Sequence, residues 1–334
     1  MTFDALILGA GPAGLAVANS FHKQGLNYIA LDKGPLAAHV QKFPPYMDFF
    51  SSRELLEIDG FPLAIPETKP NRRQYVTYLN HFWSSRDLNV RTYTEVTNVS
   101  READGFRVAT KTIHGHEETL KARTVVVACG AYESPRMLDV PGEDLPHVSH
   151  YFTEPNDYYR RRVLVVGGRN SAIEAALLLY RSGARVALSY RRHDFNESGI
   201  KYWMRPDIEN RLKQDQIANY LGTNVKRIDP DHVTLIRDDG SEVPVAADFV
   251  LLMTGYLPPY SFLERIGVRR DPETGIPYHD PATLETPTPG LFVAGVITGG
   301  NISGKVFIEN CRHHGDLIAP RVQELLSMST ARAQ

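Results

Sequence analysis

The chain has 334 residues, 42% of them hydrophobic and 23% charged, and its formal net charge is −2 at pH 7. This length accommodates two domains with buried cores, and the balanced charge gives no reason to expect a nucleic-acid or membrane partner. No apolar run reaches the ~18 residues of a membrane-spanning helix, and the first residues do not follow a signal-peptide pattern. The two cysteines, Cys129 and Cys311, form no metal-ligand pattern. We therefore expect a cytoplasmic protein without a disulfide framework or a bound metal.

The first elements along the chain predict a βαβ unit. A short apolar strand at residues 5–8 runs into a glycine-rich loop, and a helix follows over residues 13–23. A second strand over residues 28–31 ends at Asp32. Further strands are indicated by a strand–turn–strand pattern and a continuous apolar run, at residues 90–109 and 124–128.

A second βαβ unit begins near Arg162. Its first strand covers residues 163–166, its helix ends near Gly183, and its second strand covers residues 186–190. Later strands, at residues 233–236, 249–253 and 291–295, precede a mainly helical tail over residues 306–326.

The last strand and helix have no place in the second unit, so we assign them to the first. The predicted fold is α/β, with two Rossmann-like, three-layer domains of the FAD- and NAD(P)-binding kind, one inserted in the other. Residues 1–150 and 255–334 are predicted to form the discontinuous domain, and residues 151–254 the inserted one.

The first glycine motif matches the dinucleotide-binding fingerprint in its context as well as its spacing. Gly9 permits a tight turn, Gly11 lets the backbone approach a pyrophosphate, and Gly14 lets helix and strand pack closely. The helix N-terminus offers N–H groups to the phosphates. Asp32, at the end of the second strand, can accept hydrogen bonds from ribose hydroxyls.

The second glycine motif is less regular. Gly167 and Gly168 supply the turn, but Arg169 stands where glycine is usual. The next strand ends in Arg191 and Arg192 in place of an acid, which suits the 2′-phosphate of NADPH and favours NADPH over NADH. The alternative is that both arginines are solvated surface residues.

Two dinucleotide folds in one chain indicate hydride transfer between a nicotinamide and a flavin. The sequence resembles the flavin-disulfide-reductase superfamily of the low-molecular-weight thioredoxin reductase type. The segments that carry this resemblance are ILGAGPAGL at 7–15, VACG at 127–130 and LFVAG at 291–295.

Within that superfamily the chain resembles the bacillithiol disulfide reductase family over nearly its whole length. The matching segments are FFSS at 49–52, KPNR at 69–72, VSHYF at 148–152, GGRNSAI at 167–173 and FIEN at 307–310. Val296 after the last glycine and the basic Arg169 are further shared features. The resemblance implies an FAD-dependent NADPH oxidoreductase that passes electrons to a small acceptor, such as a low-molecular-weight disulfide, and assembles as a homo-oligomer.

The resemblance also implies which residues bind each cofactor, with FAD in the discontinuous domain and NADPH in the inserted one. The residues predicted to contact FAD are Gly9, Gly11, Pro12, Ala13, Gly14, Asp32, Lys33, Val96, Gly130, Gly295, Val296 and Val306. The residues predicted to contact NADPH are Gly167, Gly168, Arg169, Asn170, Ser171, Arg191, Arg192 and Gly255.

Two departures concern the thiols. The chain has no Cys-x-x-Cys pair, which excludes a thioredoxin-type dithiol relay. The resembled family carries a cysteine inside its first glycine motif, whereas this sequence has Ala13, which cannot form the thiolate that disulfide exchange requires.

Other residues remain candidates for catalysis. Cys311 is a candidate because we expect it near a helix N-terminus, which would lower the pKa of its thiol. The adjacent His313 and His314 are candidates for a general acid. The alternative is that Cys129 and Cys311 are inert buried residues and that the histidines are structural. An aromatic cluster, Phe43, Tyr46, Phe49 and Phe50, is predicted to cover the flavin, line a substrate pocket or pack beneath a loop. Whether Lys201, Tyr202 and Trp203 reach a ligand is left open by their spacing.

Three functions are therefore compatible with the sequence. The first is an NADPH-dependent reductase of a small disulfide or another acceptor. The second is an NADPH-dependent flavin monooxygenase, because reduced flavin without an adjacent thiol can react with oxygen. The third is a non-catalytic flavin redox sensor or a ferredoxin-linked partner protein.

Overall fold

The computed structural model describes residues 2–45, 47–195, 200–302 and 306–333. It divides into two compact units, one formed by residues 1–134 and 256–334 and the other by residues 135–255. We call them the first unit and the second unit. No helix among the described residues is both long enough and apolar enough to cross a membrane.

The strands and helices follow one another in the α/β order that the sequence predicts. The strands are β1 (Thr2–Leu8), β2 (Tyr28–Leu31), β3 (Val90–Arg91), β4 (Thr94–Glu102), β5 (Gly105–Thr112), β6 (Glu117–Val127), β7 (Val148–Ser149), β8 (Arg162–Val166), β9 (Arg185–Tyr190), β10 (Ala218–Leu221), β11 (Thr223–Ile228), β12 (His232–Arg237), β13 (Glu242–Ala246), β14 (Phe249–Leu252) and β15 (Leu291–Val293). The helices are α1 (Pro12–Lys23), α2 (Ala38–Gln41), α3 (Arg53–Leu56), α4 (Arg72–Ser85), α5 (Asn170–Arg181), α6 (Arg205–Lys213), α7 (Tyr260–Arg265), α8 (Ile308–Cys311) and α9 (His314–Ala333). Short 3₁₀ turns cover Pro155–Tyr158 and Gly295–Gly299.

The sheet of the first unit has the order β3-β2-β1-β6-β5-β4, and β15 also pairs with β6. The pairs β1–β2, β1–β6, β2–β3 and β15–β6 are parallel. Parallel strands end at the same edge of a sheet, so the segments that follow β1, β2, β6 and β15 come together there. These segments contain Gly9, Asp32, Gly130 and Gly295. The return of β15 to this sheet, after the second unit, is as the sequence predicts.

Helices α1 and α9 pack closely against each other. A methyl group on Gly315, in the first turn of α9, would lie 2.6 Å from Ser20 Oγ and 2.7 Å from the carbonyl oxygen of Ala16. Ser20 also donates a 2.9 Å hydrogen bond to the Asp316 carboxylate. The tail is mainly helical as expected, and α9 continues through Pro320.

The second unit contains a parallel sheet of order β10-β9-β8-β14-β7 and an antiparallel sheet of order β11-β12-β13. The chain winds from β8 outward to β9 and β10, and then reaches β14 on the other side of β8. The gap between β8 and β14 is therefore the topological switch point, where dinucleotides bind in open α/β sheets.

The chain enters the second unit at Pro135, earlier than the predicted boundary at residue 150. Strand β7 pairs in parallel with β14, with Val148 opposite Val250. A methyl group on Gly142 would lie 1.9 Å from the carbonyl oxygen of Ile228, which shows how tightly this segment packs on β11. A two-residue strand has too little pattern to be recognised from sequence. The place of residues 135–149 in the second unit is therefore visible only from the pairing of β7 with β14 and the packing of Gly142 on β11.

Candidate functional site

The loop between β1 and α1 has a backbone that only glycine accommodates at two positions. Gly9 has φ +114°, and a methyl group on it would lie 2.5 Å from the carbonyl oxygen of Ala128. A methyl group on Gly14 would lie 2.0 Å from the carbonyl oxygen of Gly9. Both distances are far inside van der Waals contact, so strand, loop and helix approach each other through their bare backbones.

Gly11 faces open space instead, since no heavy atom would lie within 4 Å of a methyl group on it. It caps α1 with extended backbone and without a side-chain hydrogen bond, and Pro12 occupies the first helical position. The first-turn amides of Ala13 and Gly14 therefore have no partner within the helix and carry its positive dipole end. An open, positively polarised cradle of this kind fits a pyrophosphate.

Asp32, at the end of β2, is held by two backbone amides. Its Oδ2 accepts a hydrogen bond from Ala10 N–H at 2.8 Å, and its Oδ1 accepts one from Gly34 N–H at 2.9 Å. Burial raises the pKa of this carboxyl, and the two amide bonds oppose the shift. Each oxygen keeps a further lone pair, so the oriented carboxylate can still accept ribose hydroxyls. Thr94 N–H bonds to the Asp32 carbonyl at 2.8 Å, which brings the start of β4, with Val96, to the same region.

A cluster of charged side chains lies at this edge and was not found from the sequence. Glu133 forms ion pairs with Lys33 and with Lys42, the latter at 2.5 Å, and lies 3.6 Å from His39 Nε2. Burial raises the pKa of Glu133, but hydrogen bonds from the two lysines outweigh it and hold the pKa at about 2. His39 also packs on Gly130, where a methyl group would lie 2.7 Å from its Nδ1. Lys33 was predicted to contact FAD, and the structure ties it to this cluster.

The glycine after β15 contacts the first loop. Gly295 has φ +81°, and a methyl group on it would lie 2.9 Å from Ala13 Cβ. Its N–H donates to His314 Nδ1 at 3.1 Å. Burial lowers the pKa of His314 to about 4, so this imidazole is neutral at pH 7 and its Nδ1 is free to accept. Val306 packs nearby, since a methyl group on Gly299 would lie 3.1 Å from its Cγ2.

Neither thiol is activated. Burial raises the pKa of Cys129 and of Cys311 to about 12. Cys311 ends the four-residue α8 and lies three residues before the start of α9, as expected, but its burial opposes the lowering of the thiol pKa that a helix N-terminus would give. His313 is largely exposed, with its Nδ1 3.9 Å from the Asp316 carboxylate.

The aromatic cluster packs inside the first unit. Phe49 is buried and meets Tyr75 edge-on at 4.8 Å between ring centres, and Phe43 meets Tyr132 in the same way at 4.8 Å. Phe50 is half-buried. Tyr46 lies outside the described residues. Of the three interpretations, packing therefore accounts for Phe49.

The second glycine loop repeats the close approach of the first. Gly167 has φ +141°, and a methyl group on it would lie 2.5 Å from the Met253 carbonyl oxygen and 2.9 Å from Ala172 Cβ. A methyl group on Gly168 would lie 2.4 Å from the Tyr190 ring. Arg169 caps α5 with extended backbone and no side-chain capping bond. The loop thus presents the first turn of α5, with Asn170 and Ser171, at the switch point.

Arg191 and Arg192 follow β9 directly, and both are exposed. The Arg192 carbonyl accepts Gly222 N–H at 2.9 Å, which fixes the backbone at the end of β9. Gly255 follows β14 with φ +95°, and its carbonyl accepts Arg136 N–H at 2.9 Å. The predicted NADPH residues therefore lie at the carboxyl ends of β8, β9 and β14.

Residues 6–295 match the family model of the pyridine nucleotide-disulphide oxidoreductases. The chain belongs to this family. Bacilliredoxin reductase Bdr of Bacillus subtilis (strain 168) is 36% identical over 318 residues, which are 95% of this chain and 97% of that protein. The solved bacillithiol disulfide reductase Bdr of Bacillus cereus superposes with a TM-score of 0.95 at 38% identity, covering 97% of this chain and 99% of that one. The solved bacillithiol disulfide reductase Bdr of Staphylococcus aureus superposes with a TM-score of 0.91 at 33% identity, covering 98% of this chain and 99% of that one.

These likenesses confirm the predicted α/β fold, the family resemblance, and an oxidoreductase that uses FAD and NADPH. The open cradle at Gly11 and the exposed arginines after β9 fit the two cofactors. Which residues contact each cofactor, and which domain binds it, stay predictions.

Proposed function

We propose that this protein uses NADPH to reduce a low-molecular-weight disulfide of the bacillithiol type. The observation that carries the proposal is the likeness, over nearly the full chain, to solved bacillithiol disulfide reductases. It is supported by the presence of two glycine loops, each at the carboxyl edge of its own parallel sheet. When bound, NADPH supplies a hydride and FAD accepts it and passes two electrons on.

In this proposal the first unit binds FAD. The first-turn amides of α1 bind the pyrophosphate, and Asp32 orients the ribose. Lys33 and Val96 lie beside that ribose, while Gly130, Gly295, Val296 and Val306 line the path at the ends of β6 and β15. The bare backbone of Gly130 and Gly295 leaves room for the cofactor to approach these strand ends closely.

The second unit then binds NADPH. The start of α5, with Gly167, Gly168, Arg169, Asn170 and Ser171, receives the pyrophosphate. Arg191 and Arg192 bind the 2′-phosphate, and Gly255 lies on the nicotinamide side of the switch point. Exposed arginines are compatible with binding the 2′-phosphate and with simple solvation. A comparison of NADPH with NADH as the donor therefore decides whether both arginines bind the cofactor.

Electrons reach the acceptor without a protein thiol. Ala13 offers no sulfur, and at pH 7 both the half-buried Cys129 and the buried Cys311 are protonated. NADPH, one proton and the disulfide give NADP⁺ and two thiols, so the reaction balances without a cysteine on the enzyme.

A stopped-flow experiment tests the proposal. The FAD-loaded protein is reduced anaerobically with NADPH, then mixed with bacillithiol disulfide, with a control disulfide such as oxidised glutathione, or with oxygen. Rapid reoxidation by bacillithiol disulfide is expected. Failure of every disulfide, with oxygen-dependent hydroxylation of an added substrate, would establish a monooxygenase instead. Failure of NADPH to reduce the flavin would leave a non-catalytic sensor.

The assembly and the compartment are also proposals. The family resemblance supports a homo-oligomer. The two unpaired cysteines support a reducing compartment such as the cytoplasm. Light scattering of the FAD-loaded protein tests the assembly, and a monomer at every concentration would contradict it.

A further inference from the structure

The turn before α6 displays two aromatic rings to solvent. Tyr202 is 83% exposed and Trp203 41% exposed. The rings meet edge-on, with centres 5.0 Å apart at 88°. The two neighbouring rings form one exposed aromatic patch, and contiguous exposed apolar surface marks binding sites on soluble proteins.

The turn is anchored beside the second glycine loop. Lys201 N–H donates a 2.8 Å hydrogen bond to Asn170 Oδ1, and Asn170 is the first residue of α5. Ile200 and Met204, on either side of the exposed pair, are buried. The rings are therefore held near the predicted phosphate site, with part of each residue at the surface.

The topology decides which half of a dinucleotide lies on this side. The turn belongs to the connection from β9 through α6 to β10, whereas the nicotinamide half is expected toward β14. Arg191 and Arg192, in the same connection, suit the 2′-phosphate on the adenosine ribose. The group next to that ribose is adenine.

We propose that Tyr202 and Trp203 form the platform on which the adenine of NADPH stacks. The inference rests on the proposed NADPH site and adds the residues that bind its base. Aromatic side chains stack on bases whatever their sequence, because every base presents a π face. The ammonium of Lys201 lies over the Trp203 ring, 6.0 Å from its centre, and this positive charge at the platform favours the nucleotide's phosphates.

The test uses adenosine 2′,5′-bisphosphate, which has the base and the 2′-phosphate but no nicotinamide. Its affinity for the FAD-loaded protein is measured by calorimetry. We expect Trp203→Ala and Tyr202→Ala each to weaken binding about tenfold, within the range for loss of base stacking. Trp203→Phe should retain most of the affinity because it keeps an aromatic face.

Tyr159→Ala is the matched control. Tyr159 is also an exposed tyrosine of the second unit, at 57%, but its ring packs on Gly183, beyond the other end of α5. Its removal should leave bisphosphate binding unchanged. Thermal melting of each variant confirms folding, which exposed rings should affect little.

Tryptophan emission provides a second readout. The chain has two tryptophans, and Trp83 lies in the first unit with its Nε1 bonded to the Leu88 carbonyl at 2.9 Å. Adenosine 2′,5′-bisphosphate should quench the fluorescence of Trp203, which is the emission that Trp203→Phe removes.

Unchanged affinity in both alanine variants, with no quenching, would overturn the platform alone. If the wild-type protein does not bind the bisphosphate, the NADPH assignment fails together with the platform. If the alanine variants lose only self-association, the rings contact another copy instead, and the platform is wrong.

Discussion

Gly14 stands so close to Gly9 that a methyl group on Gly14 would lie 2.0 Å from the Gly9 carbonyl oxygen. The atom it would meet is backbone, held by β1 in the centre of the sheet, and cannot move aside. The same loop has an opposite case in Gly11, where a methyl group would meet no heavy atom within 4 Å.

Substitutions at these two glycines distinguish a requirement of folding from a requirement of FAD binding. We expect Gly14→Ala to destabilise the apoprotein by at least about 1–3 kcal/mol, as overpacking does, and to lose FAD. Gly11→Ala should leave the apoprotein's stability within about 0.5 kcal/mol but lower its FAD content, because the new methyl group enters the open cradle. Thermal melting of apoprotein and flavin absorbance per chain are the measurements. Full FAD content in Gly11→Ala would show that the pyrophosphate lies elsewhere.

Glu133 predicts a pH dependence of stability. Its carboxyl has an ordinary pKa of 4.5 and a folded-state pKa of about 2. A depressed pKa contributes stability that is fully present above 4.5 and is lost as pH falls toward about 2. After solvent screening of these partly exposed groups we expect about 1–2 kcal/mol.

Glu133→Gln should therefore lose stability at pH 7 and show a flatter profile in that window by chemical denaturation. Glu118→Gln is a suitable control, because Glu118 forms an exposed ion pair with Arg91 that contributes little. Parallel profiles for wild type and Glu133→Gln would contradict the role of the cluster.

The thiols should be dispensable. Cys129 and Cys311 both have a pKa of about 12, so neither supplies a thiolate at neutral pH. Cys311→Ala and Cys129→Ala should keep turnover with NADPH and a disulfide within about twofold, since they touch no step that needs a thiolate. Native protein should also resist alkylation. Loss of disulfide reduction, with flavin reduction by NADPH preserved, would identify a catalytic thiol after all.

The arginines after β9 should set the choice of nicotinamide donor. Replacing Arg191 and Arg192 by alanine removes charge-assisted hydrogen bonds to the 2′-phosphate, and we expect kcat/KM for NADPH to fall about 10–100-fold. The value for NADH, which has no 2′-phosphate, should change little. Steady-state rates with both donors give the comparison, and an equal loss for both would show a structural role instead.

The sequence alone determined the features that depend on local backbone geometry. Gly9, Gly14 and Gly167 stand where the turn and the close approach of helix and strand exclude any side chain, so the chemistry is visible in the residue types themselves. The positions of Asp32 and of the arginine pair could be predicted for a related reason, because each directly follows a strand, at the edge where parallel sheets bind ligands.

The tertiary structure decided what depends on distant segments meeting. Lys33, His39 and Lys42 lie in one segment of the chain and gather around Glu133, which follows Lys42 by 91 residues, and nothing in the sequence signals that meeting. Cys311 is the clearest case. A thiol's reactivity depends on burial and on its place relative to a helix end, and the folded chain buries this thiol at the end of α8, which decides between the reactive and the inert interpretation of the sequence.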